Sequence, residues 1–212
     1  LGVPLIVEMT EQDSARYEGK GLTWSQKLLR KLHRWHEKNL NWLCDHLVVI
    51  SHKLYDYYKH RILGDRLSLV PIIVDFARFR HLNGKPSLPM RVGYIGSFGA
   101  KDGVPGIIEA FQQARASFPD LRLRLIGHAD EAASEQLHHA AYQASGVEFI
   151  GQVFYRNIPD YLYSCDLLVV NRPDTAYANY GFPTKLGEYL ATGRPALVTN
   201  VGDVKQYLTN DK

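Results

Sequence analysis

Two cysteines in 212 residues cannot build a disulfide framework, so a small stapled secreted fold is excluded. Long hydrophobic runs are missing too: the longest, Leu47 to Ile50 and Leu167 to Val170, are strand-sized, far short of the ~20 apolar residues of a membrane-spanning helix. Neither sign of charge is in large excess, with 25 Lys+Arg against 22 Asp+Glu and a formal net charge of +3, which argues against a strongly basic nucleic-acid binder. There is no HExxH and no Cys/His cluster with zinc spacing. Of the nine histidines, His33 and His36 fall in a Lys/Arg-rich helix, and the adjacent His138 and His139 point apart, so no metal site is expected. No solenoid-length repeat appears. The chain opens Leu1-Gly2-Val3-Pro4-Leu5-Ile6-Val7 without a Met or a charged leader, and is expected to begin inside a domain of a longer protein.

What is present is 45% hydrophobic residues in short β-rich runs that alternate with helix-length segments. That alternation is the pattern of an α/β fold, a parallel sheet wrapped by helices. Strands are predicted at 4–9, 46–51, 67–73, 91–96, 122–127, 147–150, 167–171 and 196–200. Helices are predicted at 23–43, 53–61, 104–117, 131–145, 158–164, 183–192 and 204–208. The breaker-rich stretch His81-Leu82-Asn83-Gly84-Lys85-Pro86-Ser87-Leu88-Pro89 reads as a linker. It divides a partial N-terminal Rossmann-like domain, 1–80, from a C-terminal one, 90–212. Residues 1–89 carry 14 basic and 9 acidic side chains and residues 90–212 carry 11 and 13, which also suggests two units. Cys44-Asp45 and Cys165-Asp166 each precede an apolar strand, a weak echo between the halves.

Two segments offer chemistry. Tyr94-Ile95-Gly96-Ser97-Phe98-Gly99-Ala100-Lys101-Asp102-Gly103 joins a predicted strand to a predicted helix, where glycines admit a phosphate to the backbone and a helix N-terminus favours an anion. The glycines lack the G-x-G-x-x-G spacing, so a bland strand-to-helix turn is the alternative. In Asn179-Tyr180-Gly181-Phe182-Pro183-Thr184-Lys185-Leu186-Gly187-Glu188, Pro183 suits a first helical turn, and Lys185 and Glu188 share a face. A lysine there can hold phosphate, and a glutamate one turn deeper can accept from a ribose diol. The alternative is an ordinary i, i+3 salt bridge.

The run Gly181-Phe182-Pro183-Thr184-Lys185-Leu186-Gly187-Glu188-Tyr189-Leu190-Ala191-Thr192-Gly193-Arg194-Pro195 resembles the donor-binding helix of the retaining glycosyltransferases of family 4, which have the GT-B fold of two Rossmann-like domains. Val48-Val49-Ile50-Ser51, Val74 to Phe79, Gly96 to Gly103, Ile126-Gly127, Ile158 to Leu162 and Asp166 follow in the family's order. The resemblance spans most of the chain. It implies that a nucleotide-diphosphate sugar is co-substrate on the C-terminal domain, that a glycan, lipid-linked or small-molecule hydroxyl acceptor meets the N-terminal one, and that no separate cofactor is needed. It further implies polysaccharide or glycoconjugate synthesis in the cytoplasm.

By the same resemblance Glu188 is the second of two glutamates separated by seven residues and binds the donor ribose, while Tyr180 stands where the first would be. Ser97 and Asp102 occupy loop positions that are Arg and Lys in many members. Lys101, Lys185 and the loop amides from Gly96 and Ser97 are then expected to share the diphosphate charge, as the catalytic cations. Val153, within Gly151 to Tyr155, falls in the base-contacting region, and Tyr180 to Lys185 complete the donor contacts. Glu8 and Glu11 are the acceptor-side carboxylates; Glu11 is the catalytic candidate, to orient the acceptor hydroxyl. No protein nucleophile is assigned.

The segment 23–43 sets Lys27, Arg30, Lys31, Arg34 and Lys38 beside Trp24, Leu28, Leu32, Trp35 and Trp42. It either packs on its own sheet with a solvated outer face, the preferred expectation, or lies on an anionic membrane surface. Two other functions stay open: a degenerate GT-B module that binds a nucleotide sugar without transferring it, and, ranked below it, a nucleotide-sugar epimerase. Because two full domains need more than 212 residues, the chain alone is expected to turn over little substrate.

Overall fold

The structure is a computed structural model that describes residues 2–17, 21–79, 89–128 and 144–208. The expected helix at 131–145 falls almost wholly outside these residues, as does the linker apart from Pro89. The chain divides into two compact units, one made of Leu1–Ile72, Asp174–Phe182 and Asn200–Lys212, the other of Ile73–Pro173 and Pro183–Thr199. Compared with the expected borders at 80 and 90, the first unit also takes in two later segments.

In the first unit, β1 (Ile6–Met9), β2 (His46–Val49) and β3 (Leu67–Leu69) form a parallel sheet in that order. Helix α1 (Trp24–Leu43) starts with a capping box in which Thr23 and Gln26 satisfy each other's backbone N–H groups. Helix α2 (His52–Tyr58) is capped by the Ser51 hydroxyl, which accepts from Leu54 N–H. Leu40, Leu47, Val49, Leu54 and Tyr58 are the heart of this core.

Helix α1 packs on its own unit with a solvated outer face, as preferred, but the apolar row is not the side it buries. Its inward side carries Glu37 and Leu40, both buried. Ser14 donates to Glu37 from its backbone N–H at 2.9 Å and from its hydroxyl at 2.8 Å. A 3-10 turn at Asp13–Tyr17 fills that side, with Tyr17 stacked on His33. The apolar row containing the three tryptophans is thereby turned to solvent.

The second unit holds β4 (Arg91–Gly96), β5 (Arg122–Gly127), β6 (Val147–Gly151), β7 (Leu167–Val170) and β8 (Ala196–Val198), all parallel, in the order β6-β5-β4-β7-β8. The order reverses at β4, so the crevice between β4 and β7 is the switch point at which open α/β sheets bind ligands, at the strands' carboxyl ends. Helix α3 (Val104–Ser117) covers one face through Ile107, Ile108 and Phe111 against Val92, Tyr94, Leu123 and Leu125. On the other face Ile95, Ile126, Leu168 and Val170 meet Leu162 of α4 (Ile158–Tyr163) and Tyr189 of α6 (Thr184–Ala191). The first unit also receives α5 (Ala176–Tyr180), capped by Thr175, and α7 (Val204–Tyr207).

The Cys-Asp echo has a physical basis. Asp45 accepts Leu5 N–H at 2.7 Å and returns its own N–H to Leu5 O at 2.8 Å; Asp166 does the same with Arg91, at 2.9 and 2.8 Å. In each sheet the aspartate before an inner strand ties down the start of its neighbour.

Candidate functional site

Each short segment at the carboxyl end of β4 is shaped by a contact. β4 pairs with β5 as far as Gly96 and Gly127, but with β7 only as far as Gly93 and Leu168, so β4 and β7 splay. The Ile95 N–H left over donates to the buried Tyr189 hydroxyl at 2.9 Å. A Cβ on Gly96 would lie 2.4 Å from the Tyr94 hydroxyl and 2.5 Å from Lys185 Nζ, so the glycine makes room for that contact. Gly103 has φ +55° and abuts Asn171, whose Nδ2 donates to Gly103 O at 2.8 Å. Phe98 also takes a left-handed φ of 49°, which costs about 1–2 kcal/mol for a side chain with a Cβ. Its ring offsets this by burial between Tyr94 and Phe149.

Lys185, on the first turn of α6, reaches back to this loop. Its ammonium donates to Asp102 Oδ1 at 2.5 Å and to the Tyr94 hydroxyl at 2.7 Å. Ser97 donates to Asp102 Oδ2 at 3.2 Å. The Lys185 and Asp102 side chains are only 14% and 8% exposed. Burial opposes the Asp102 carboxylate, but the Lys185 charge and the hydrogen bonds from Lys185, Tyr94 and Ser97 outweigh it and hold its pKa below the usual range. The Lys185 ammonium is drawn below the ordinary lysine range by burial and by repulsion from Arg172 and Lys101, against the attraction of Asp102. The two directions differ because burial of the ammonium outweighs the attraction of Asp102, whereas at Asp102 the hydrogen bonds and the Lys185 charge outweigh burial.

Glu188 lies one turn on. Its Oε1 accepts from Arg78 Nη1 at 2.9 Å. The same guanidinium donates to the Tyr155 hydroxyl at 2.6 Å and to its carbonyl at 2.9 Å, and stacks 3.8 Å from the Tyr155 ring. Lys185 and Glu188 therefore do not form the plain i, i+3 bridge; each is aimed at a partner far away in sequence.

Among the expected site residues, Gly96, Ser97, Lys101, Lys185 and Glu188 belong to the second unit, with Pro183 as N-cap of α6 and Thr184 as its first residue. Val153 is half-buried against the Leu162 and Tyr189 cluster. Tyr180, Gly181 and Phe182 belong to the first unit: Ser51 donates to Tyr180 O at 2.6 Å, and Tyr57 meets the Tyr180 ring edge-on. Glu8 is exposed on β1, and the Glu11 carboxylate accepts from the Tyr177 hydroxyl of α5. Arg78, Asp102 and Arg172 were not foreseen as members. Arg172 had a usable signal, since it follows a buried strand at the carboxyl edge.

A model of the family described as Glycosyl transferases group 1 matches residues 89–212. The chain belongs to that family. No curated protein matches this group 1 glycosyltransferase chain in sequence. Among solved structures it is similar to WaaG, a glycosyltransferase involved in lipopolysaccharide biosynthesis, with TM-score 0.72, 17% identity, and 95% of this chain and 58% of that one covered. Anabaena HepE in complex with UDP and glucose gives TM-score 0.71 at 14% identity, covering 98% and 55%. Sucrose-phosphate synthase from Thermosynechococcus elongatus gives 0.70 at 18%, covering 96% and 52%. At these identities the likeness concerns the fold, which is the expected α/β arrangement of GT-B enzymes. The group 1 chain spans about half the length of these three structures.

Proposed function

We propose that this chain is the donor-binding part of a retaining glycosyltransferase of family 4, which moves a hexosyl group from a nucleotide-diphosphate sugar to a hydroxyl acceptor in polysaccharide or glycoconjugate synthesis. The observation that carries the reading is Lys185, reaching from the head of α6 to the Tyr94–Asp102 loop at the splayed carboxyl ends of β4 and β7, where Gly96 leaves room for it. A diphosphate there meets positive charge in a partly desolvated place, and its own charge grows as the sugar leaves. In the transfer, the bond from the anomeric carbon to the diphosphate oxygen breaks, a bond to the acceptor oxygen forms, and the acceptor proton passes to the leaving phosphate. Glu188, steadied by Arg78, is the group for the ribose diol. The HepE structure holding UDP and glucose, and a pneumococcal O-GlcNAc transferase holding UDP and GlcNAc, support a nucleotide-sugar partner. Glu8 and Glu11 remain the proposed acceptor-side carboxylates. Turnover is expected of a longer chain of the relatives' length.

The test is thermal stabilisation of the chain by UDP, GDP, ADP and their sugar conjugates, repeated with Glu188→Gln. A nucleotide at one hundred times its Kd stabilises by about 2.7 kcal/mol, and Glu188→Gln is expected to lose most of that shift. No shift with any nucleotide sugar, in this chain and in a longer one, would refute the proposal. The binding-module alternative draws on Tyr180 and on Asp102 already holding Lys185. Hydrolysis of a donor by the longer chain would exclude it.

A further inference from the structure

Arg78 lies in the short turn Phe76–Phe79, which the second unit draws against α4 and α6. Asp75 Oδ1 accepts the Ala77 N–H at 2.9 Å, the Phe79 ring is buried with Leu162 and Tyr189, and Tyr163 donates its hydroxyl to Phe79 O at 2.9 Å. A turn pinned at both ends gives the side chain between them a fixed point of departure. Tyr155 then fixes the guanidinium itself. Its ring lies 3.8 Å below, its hydroxyl accepts from Nη1 at 2.6 Å and its carbonyl accepts from Nη2 at 2.9 Å. Stacking sets the plane of the guanidinium, and the two bonds set its rotation within that plane.

One prong of this fork reaches Glu188. Nη1 donates to Oε1 at 2.9 Å, between side chains that are 16% and 19% exposed. Among the described residues nothing else hydrogen-bonds Glu188, so the carboxylate is anchored by one oxygen and offered by the other. A two-pronged arginine–carboxylate pair would consume both oxygens. The single prong fixes a direction and leaves acceptor capacity in place. A free glutamate would have to surrender its rotamer freedom when a ligand arrives, and here that freedom is already gone.

We propose that Arg78 is a positioning residue of the donor site, with Tyr155 as its support. Arg78 aims the Glu188 carboxylate at the two adjacent hydroxyls of a ribose, and so makes the site select ribonucleotides over nucleotides that lack those hydroxyls. The inference rests on the nucleotide-sugar reading above and adds to it the residues on which this selection depends. In this role Arg78 acts through Glu188 and not on the ligand. Its removal therefore weakens only ligands that carry the diol, whereas a role in stability alone would weaken or spare all nucleotides alike.

The full 212-residue chain is titrated calorimetrically with UDP, GDP and ADP, and then with the 2′,3′-dideoxy counterpart of each. The parent is expected to hold its ribonucleotide about tenfold or more above the dideoxy form, the scale of a hydrogen bond to a charged group. Arg78→Met is expected to erase most of that ratio and to leave the dideoxy affinity unchanged. Arg78→Met/Glu188→Gln should bind no more weakly than Glu188→Gln alone. Arg78→Lys keeps the charge but not the fork, and should recover part of the ratio. Tyr155→Phe removes one acceptor of Arg78, keeps the ring and lies at an exposed residue, so it should lower the ratio without altering thermal unfolding, and it decides the matter if Arg78→Met does not fold. An equal loss for ribo and dideoxy ligands, a ratio unchanged in the variants, or an Arg78→Met loss that adds in full to that of Glu188→Gln would overturn the inference and leave the nucleotide reading standing. No binding of any nucleotide, by this chain or a longer one, would overturn both.

Discussion

Replacing Lys185 with methionine tests how the β4 loop is held together. The change keeps most of the side chain's length but leaves Asp102 as a carboxylate that is 8% exposed, with Ser97 and Tyr94 as its remaining supports. Removing one partner of a buried pair costs about 3–5 kcal/mol, because the other charge stays desolvated. At about 2–4 °C per kcal/mol for a chain of this size, the melting temperature should fall by about 6–20 °C. Lys185→Met/Asp102→Leu removes both charges and should recover most of the loss. Urea unfolding of the parent, both single variants and the double variant gives the coupling directly. A Lys185→Met loss below about 1 kcal/mol, or additivity of the two single changes, would show that the 2.5 Å pair contributes little and would refute the reasoning.

Asp102 also sets a pH dependence. Its pKa is lowered on folding from an unfolded value of 3.8, so its contribution is full above about pH 4 and is lost as pH falls through the folded value; unfolding free energies measured from pH 5 to 2 should lose part of their acid slope in Asp102→Asn. A Cβ at Gly93 would lie 2.4 Å from Cys165 Sγ and 2.9 Å from its Cβ, so Gly93→Ala should destabilise by about 1–3 kcal/mol in urea titrations. Gly96→Ala drives a methyl into the Tyr94 hydroxyl, whose buried ring cannot swing away, and should abolish any nucleotide-induced thermal shift while secondary structure by circular dichroism is kept. Asp166→Ala unties the start of β4 and should cost about 1–3 kcal/mol, with faster hydrogen exchange at the Arg91 amide.

The sheet and most helices were legible because their signals are local. Arg91–Gly96 and Arg122–Gly127 end on glycines at the predicted residues, and Val104–Ser117 begins after a left-handed glycine with Pro105 in its first turn. The short α5 escaped notice because five residues among Asn, Tyr and Ala carry no period; Thr175 and packing decide it. Lys185 and Glu188 were visible, but their partners were not. Asp102 is 83 positions from Lys185 and Arg78 is 110 from Glu188, distances that only folding closes. For α1 the amphipathic pattern was plain and its direction was not, since hydrogen bonds from Ser14 to one inward glutamate decide which side faces the core.

Between residues 173 and 200 the polypeptide passes back and forth: Asp174–Phe182 joins the first unit, Pro183–Thr199 the second, and Asn200 onward the first again. Heredity and folding thus draw different frontiers. The stretch that carries the family signature, 89–212, includes Tyr180 and Phe182, which pack against the core built by Leu47, Leu54 and Tyr58. Expressed by itself it would present those two rings to water, and the first 72 residues by themselves would lack their cover. A recombination crossover placed at residue 89 would separate side chains that share one core.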